Sequence, residues 1–140
     1  MVVWRVAASG EVDSSYGVEG LAFIQVTDNF HIGALAADAT GALYAGGSVS
    51  KTMGFIPAVA KLNADGALAA SFGDQGVARL PEISKGTGSV WSLLLDGEKV
   101  VIAGNTTDSI AADSWAGNDS FIAALTAQSG QYVPTFATQG

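Results

Sequence analysis

"ADGALAASFGDQG", residues 64–76, gathers Gly, Asp, Ser and Gln around a single aromatic, Phe72. Nearly the same phrase stands at 8–20, "ASGEVDSSYGVEG", and again at 127–140, "AQSGQYVPTFATQG". Val3, Val6, Gly10, Val12, Tyr16, Gly17 and Gly20 align without gaps onto Val59, Leu62, Gly66, Leu68, Phe72, Gly73 and Gly76, an offset of 56 residues. The third copy, with one extra residue near Gln128, places Ile122, Leu125, Gly130, Tyr132, Phe136 and Gly140 in the same roles. A second block, "AADATGALYAGG" (36–47), aligns with "LLDGEKVVIAGN" (94–105) at an offset of 58. Two blocks matching in the same order read as a tandem repeat.

The runs between these phrases read as strands. "LAFIQVT" (21–27), "HIGALAAD" (31–38), "ALYAGGS" (42–48) and "FIPAVAKL" (55–62) are short, apolar and bounded by turn residues. The next unit supplies "VARL" (77–80), "SVWSLLL" (89–95), "KVVIAG" (99–104) and "SFIAALT" (120–126). "DATG" (38–41) and "DGE" (96–98) suit hairpin turns, with Gly available for positive φ. The expected fold is all-β, with tandem four-stranded antiparallel blades of β-propeller type: about two blades plus a spare fourth strand, "VVWRVA" (2–7). A two-sheet β-sandwich is the alternative. The chain is read as one repeat domain, 1–140, with a partial unit end at 2–20, a first blade at 21–76 and a second at 77–140. On this reading each turn phrase is the crossing from one blade to the next. Phe72, Tyr16 and Phe136 are then apolar plugs between neighbouring sheets, with ligand stacking as the functional alternative.

Composition agrees with many short strands. Of the 140 residues 49% are hydrophobic, 18 are Gly and only 3 are Pro. A net charge of −7 with 6 Lys+Arg argues against nucleic acid and anionic membranes, which need basic footprints. No Cys is present, so neither a disulfide framework nor a thiolate metal site is available. No stretch approaches the roughly 18 apolar residues of a membrane span. The N-terminus lacks the basic and apolar regions of a signal peptide. A strand starting right after Met1 fits either a piece of a longer repeat array or an ordinary domain.

"LNADGALAASFGDQG" (62–76), followed by "LLDGEKVVIAG" (94–104), resembles the bacterial delta-60 repeat, a blade-like unit of β-propeller proteins. Residues 58–121 match that pattern best, and residues 2–57 more loosely, with Ser9 where Asp65 stands. The C-terminal copy departs furthest, with Ser129 for Asp65 and Ala137 for Gly73. The resemblance implies a propeller, often within large secreted or surface proteins, and its motif carries no catalytic residue.

The residues themselves offer little chemistry. His31 is the only histidine, so a His-based zinc site cannot form within one chain. "GGSVS" (46–50) lacks the last Gly of a nucleophile elbow, and "GGSVSKT" (46–52) has Ser50 where a phosphate loop needs Gly. "GTGSVW" (86–91) puts Trp91 at the third Gly of a dinucleotide fingerprint. Calcium is the one ion worth weighing. Asn63 and Asp65 alternate before Gly66, but Lys61 and Phe72 occupy the outer ligand positions of a calcium loop. Asp113, Asn118 and Asp119 cluster in the longest linker and are the better candidates, although Asp and Asn in turns usually bind their own backbone. Trp115 in that linker is either a loop anchor or a contact residue, and Asn105 and Asn118 begin glycosylation sequons. No catalytic, cofactor-binding or metal-ligating residue is assigned, and no cofactor is expected.

The expected function is therefore a non-catalytic repeat module for binding or assembly. A propeller-type hydrolase or lyase with acids on its loops, or a fragment of a larger surface protein, are the alternatives. Open sheet faces predict self-association of three or four chains into a ring, or docking of further blades of a larger protein.

Overall fold

Among the described residues, short apolar runs separated by turn residues form nine strands in three antiparallel sheets. The computed structural model describes residues 1–25, 29–81, 83, 86–107 and 118–136. The first sheet pairs β1 (Val2–Trp4) with β2 (Leu21–Phe23). The second holds β3 (Phe30–Ala37), β4 (Leu43–Ser50), β5 (Phe55–Leu62) and β6 (Val77–Arg79), in that order. The third holds β7 (Thr87–Asp96), β8 (Lys99–Thr107) and β9 (Asn118–Thr126). The fold is all-β, and no helix occurs among the described residues. The described residues form three sheets of two, four and three strands, where a sandwich would have two sheets.

The four-stranded sheet lies in the middle and builds both cores. Ala45, Val49, Ala58, Ala60 and Leu62 pack with Val3, Tyr16 and Ala22 of the first unit. Tyr44, Val59, Ala78 and Leu80 pack with Val90, Val100, Ile102 and Leu125 of the third sheet. Side chains alternate between faces along a strand. Covering both faces therefore buries β4 almost continuously, and explains why "LYAGGSVS" shows no polar alternation.

Pairing corrects the expected role of the turn phrase. Residues 64–76 do not cross between sheets; they join β5 to β6 inside one sheet. The chain changes sheet after β2 and after β6 instead. The spare strand is likewise not left over. It pairs with β2 in the register Val2↔Phe23, Val3↔Ala22, Trp4↔Leu21, which lies 56 residues behind Ala58↔Arg79, Val59↔Ala78, Ala60↔Val77.

One alignment also shifts. The 58-residue offset holds for β3 and β7, whose bulges fall at Ile32/Ala34 and Val90/Ser92. Beyond the hairpin the offset is 57. Gly47 and Gly104 each lie opposite the bulge, where a Cβ would run into the carbonyl of His31 or of Ser89. The second hairpin is one residue shorter, and since side chains alternate, that single residue decides which face each position takes.

The aromatic of each phrase is buried as expected of a plug in two copies. Phe72 is wholly enclosed, edge-on to Tyr44 with ring centroids 5.9 Å apart, and Tyr16 is nearly so. Phe136 is half-buried. Phe72→Ala should therefore cost about 3–5 kcal/mol in urea unfolding, and Phe136→Ala less than half as much. Equal losses at the two sites would refute the plug assignment.

Candidate functional site

The three turn phrases share one backbone design. In the first, Asp13 N–H donates to the Arg5 carbonyl, Tyr16 N–H to Asp13, and Gly10 N–H to Ala7. The second repeats these with Ala69 to Lys61, Phe72 to Ala69, and Gly66 to Asn63. The third uses Val133 to Ala124, Phe136 to Val133, and Gly130 to Thr126. Each of the first two phrases ends in a two-residue hairpin, Val18 to Leu21 and Asp74 to Val77. Positive φ at both central residues, Glu19–Gly20 and Gln75–Gly76, is the pattern of a type I′ turn.

Successive phrases are locked to one another. The Gly17 N–H donates to the Asp65 carbonyl at 2.7 Å, and the Gly73 N–H to the Ser129 carbonyl at 2.8 Å. This bond needs close approach. A Cβ on Gly66 would lie 2.9 Å from the Gly17 nitrogen, and one on Gly130 would lie 3.1 Å from the Gly73 nitrogen. Both glycines also sit at positive φ, so the position is closed to side chains on two grounds.

A cation spans each joint beside that bond. Arg5 donates through Nη1 to the Ala64 carbonyl at 2.8 Å, while its Nε and Nη2 engage Asp13 and its guanidinium lies 4.4 Å from the Tyr16 ring centroid. Lys61, 56 residues on, donates to the Ala127 carbonyl at 2.8 Å and lies 4.9 Å from the Tyr44 ring centroid. The Tyr44 hydroxyl donates to that same carbonyl at 3.0 Å. Beside this second joint opens a cleft of about 390 Å³, lined by Asp38, Thr40, Tyr44, Lys61, Glu98 and Ala127.

The titratable groups around the joints are committed to local structure. Asp13 is held below its ordinary 3.8 chiefly by the Ser15 hydroxyl, with Arg5 assisting. Asp38 is lowered chiefly by the Thr40 hydroxyl, with the Thr40 and Ala42 amides adding to it. Burial raises Tyr16 above 10.0.

The residues singled out from sequence lie apart. His31 is exposed on β3, edge-on to Phe55 at 5.4 Å. The two Gly-rich stretches, expected as loops, run mostly as strand: 46–50 lies in β4, with Ser48 buried, and 87–91 lies in β7. Asp65 Oδ1 accepts the Ala67 N–H, a turn bond. Asp113, Trp115 and the Asn118 side chain lie outside the described residues, leaving only Asp119 of the three linker candidates for calcium, exposed on β9. Among the described residues no group of three or more His, Asp or Glu converges on a metal position. The Asn105 side chain accepts a hydrogen bond from Trp91 Nε1 at 2.6 Å. The cationic joints were missed in the sequence reading. Their signal is the 56-residue offset between Arg5 and Lys61, two of only 6 basic residues.

No protein-family model matches the chain, and a comparison with curated proteins finds no match.

Lys61 and Tyr44 share one acceptor, so their losses should not add. Lys61→Met and Tyr44→Phe should each cost about 0.5–1.5 kcal/mol, because the Ala127 carbonyl keeps the other donor. The double variant removes both donors and should exceed the sum by at least about 0.5 kcal/mol in a denaturation cycle. Strict additivity would show that the two donors act independently.

Asp38 gives a pH prediction. Its folded pKa lies below the unfolded 3.8, so its stabilisation is present above 3.8 and disappears as pH falls through the folded value. Wild type should lose melting temperature across that acid range. Asp38→Ala should start lower at neutral pH and lose less. An unchanged acid slope would remove Asp38 from the account.

Proposed function

We propose that this chain is a non-catalytic repeat module of β-propeller type, used for binding or assembly. The observation that carries the reading is the recurrence of one joint. The same N–H to carbonyl bond and the same cation to carbonyl bond link the first phrase to the second and the second to the third. A joint of this kind holds sheets at a set spacing and leaves loops and outer faces to meet a partner. The resemblance of residues 62–76 and 94–104 to the delta-60 repeat supports the same reading. So does the 56-residue spacing of the β1–β2 and β5–β6 registers.

The acids nearest the cleft favour scaffolding over catalysis. Asp38 spends its Oδ1 on three hydrogen bonds within its own hairpin. Strong hydrogen bonding to the charged form keeps it ionised, the wrong state for a general acid.

Purified chain should turn over no member of a panel of chromogenic esters, glycosides and peptides above the buffer blank. Turnover that co-purifies with the chain and vanishes in Asp38→Ala or Glu98→Gln would replace this reading with an enzymatic one.

A further inference from the structure

The first unit exposes what the second unit buries. Ala58, Ala60 and Leu62 on β5 are fully buried against the preceding unit, with Leu68 packed beside them. At an offset of 56 residues their counterparts are Val2, Trp4, Val6 and Val12, all exposed, Trp4 to 61%. The third sheet shows the converse on its outer face. Pairing of Leu43 with Leu62 and of Val100 with Leu125 makes Ile122 the counterpart of Val59, and Val101 the counterpart of Tyr44. Val59 is 0% exposed and packs on the following sheet, whereas Ile122 is 59% exposed, with Leu94 exposed on the same face two strands away, on β7.

The two open faces are therefore the two halves of a contact that the chain already makes internally. One is the receiving face of the first unit, and the other is the covering face of the third sheet, both exposed among the described residues. Bulk is distributed to match. The internal core between the second and third sheets has large Tyr44 on one side and small Ala123 on the other. Their counterparts at the open faces are Val101 and Trp4, so the large residue changes sides. Space at the loop end agrees. A Cβ on Gly10 would meet nothing within 4 Å, whereas at Gly66 and Gly130 the preceding phrase fills that space.

We propose that the outer face of β1–β2 in one copy docks on the outer face of β7–β9 in a second copy, continuing the sheet stacking head to tail. The occupant is a second copy of this chain, because its two faces carry the matching counterparts of a contact already made within it. The inference rests on the assembly reading above and names its partner. The joint between copies also lacks the cation of the internal ones. Ala124 stands where Arg5 and Lys61 stand, so no cation bridges it and association depends on apolar contact. Such contact is heterologous and closes into a ring where the rotation permits.

Light scattering on a sizing column tests it. Wild type at micromolar concentration should elute at a multiple of 14.1 kDa. Trp4→Asp and Ile122→Asp should each run as folded monomers by mass and circular dichroism, with Leu94→Glu as a second covering-face variant should Ile122→Asp fail to fold. Mixing Trp4→Asp with Ile122→Asp should restore a one-to-one dimer, since each keeps the face the other lacks. A monomeric wild type overturns the proposal while leaving the module reading, which the substrate panel judges separately. Association of wild type without rescue in the mixture also overturns it, because that outcome marks a like-with-like interface. A polydisperse aggregate that neither substitution narrows does the same.

Discussion

A backbone amide that cannot be satisfied within its own turn organises this molecule. Gly17 and Gly73 each sit at positive φ, 59° and 58°, just before a type I′ hairpin whose internal bonds are already complete. Their N–H groups take no part in that hairpin's own bonds and find their acceptor outside it. The partner is the carbonyl of Asp65 or Ser129 in the following phrase. The bond forms only if the two turns touch, which is why Gly66 and Gly130 have no side chain. Once the turns touch, the strands entering and leaving them bring the sheets face to face.

That contact has consequences for the strands. A sheet covered on both sides by close neighbours needs small residues, and the middle sheet has them: Ala45, Gly46, Gly47, Ala58 and Ala60. A Cβ on Gly46 would lie 2.7 Å from Val90 Cγ1, so the third sheet has settled against the backbone itself. Larger side chains are placed where the phrases enter the core. Tyr16 and Phe72 fill the space between turn and sheet, and Arg5 and Lys61 lie over aromatic rings while reaching a carbonyl across the joint. Each basic side chain therefore does two things: its stem and charge pack on an aromatic face, and its tip satisfies an acceptor.

The sequence made the all-β class and most strands legible, because strand boundaries coincide with clusters of Gly, Asp and Asn. Phe55–Leu62 matches the expected segment end to end, and β3, β4, β7 and β8 fall within a few residues. Strand partnership was not legible. An offset of 56 is the same whether Val77–Arg79 closes its own sheet or opens the next, so periodicity cannot set the boundary between sheets. The one-residue difference between the two hairpins was hidden by the good match of Gly46 to Gly104, which the bulge geometry replaces with Gly47. The joint was hidden because its central bonds run from backbone to backbone, and the letters show only that glycines recur. Arg5 and Lys61 were on view, but a sparse basic residue in an acidic chain reads as surface charge until its acceptor is seen.

The charge distribution completes the argument. The chain carries −7, yet its acids do not crowd the sheets. Asp13, Asp38 and Asp65 spend their carboxylates on amides and hydroxyls two to four residues on, while Asp74 meets Arg79 at 3.5 Å. Carboxylates satisfied this way stay at the loop ends, and apart from Asp96 at the end of β7 and Asp119 near the start of β9, the strands β1–β2 and β7–β9 expose Val, Trp, Leu and Ile. The turn chemistry that builds each unit thus also determines which of its surfaces can be covered.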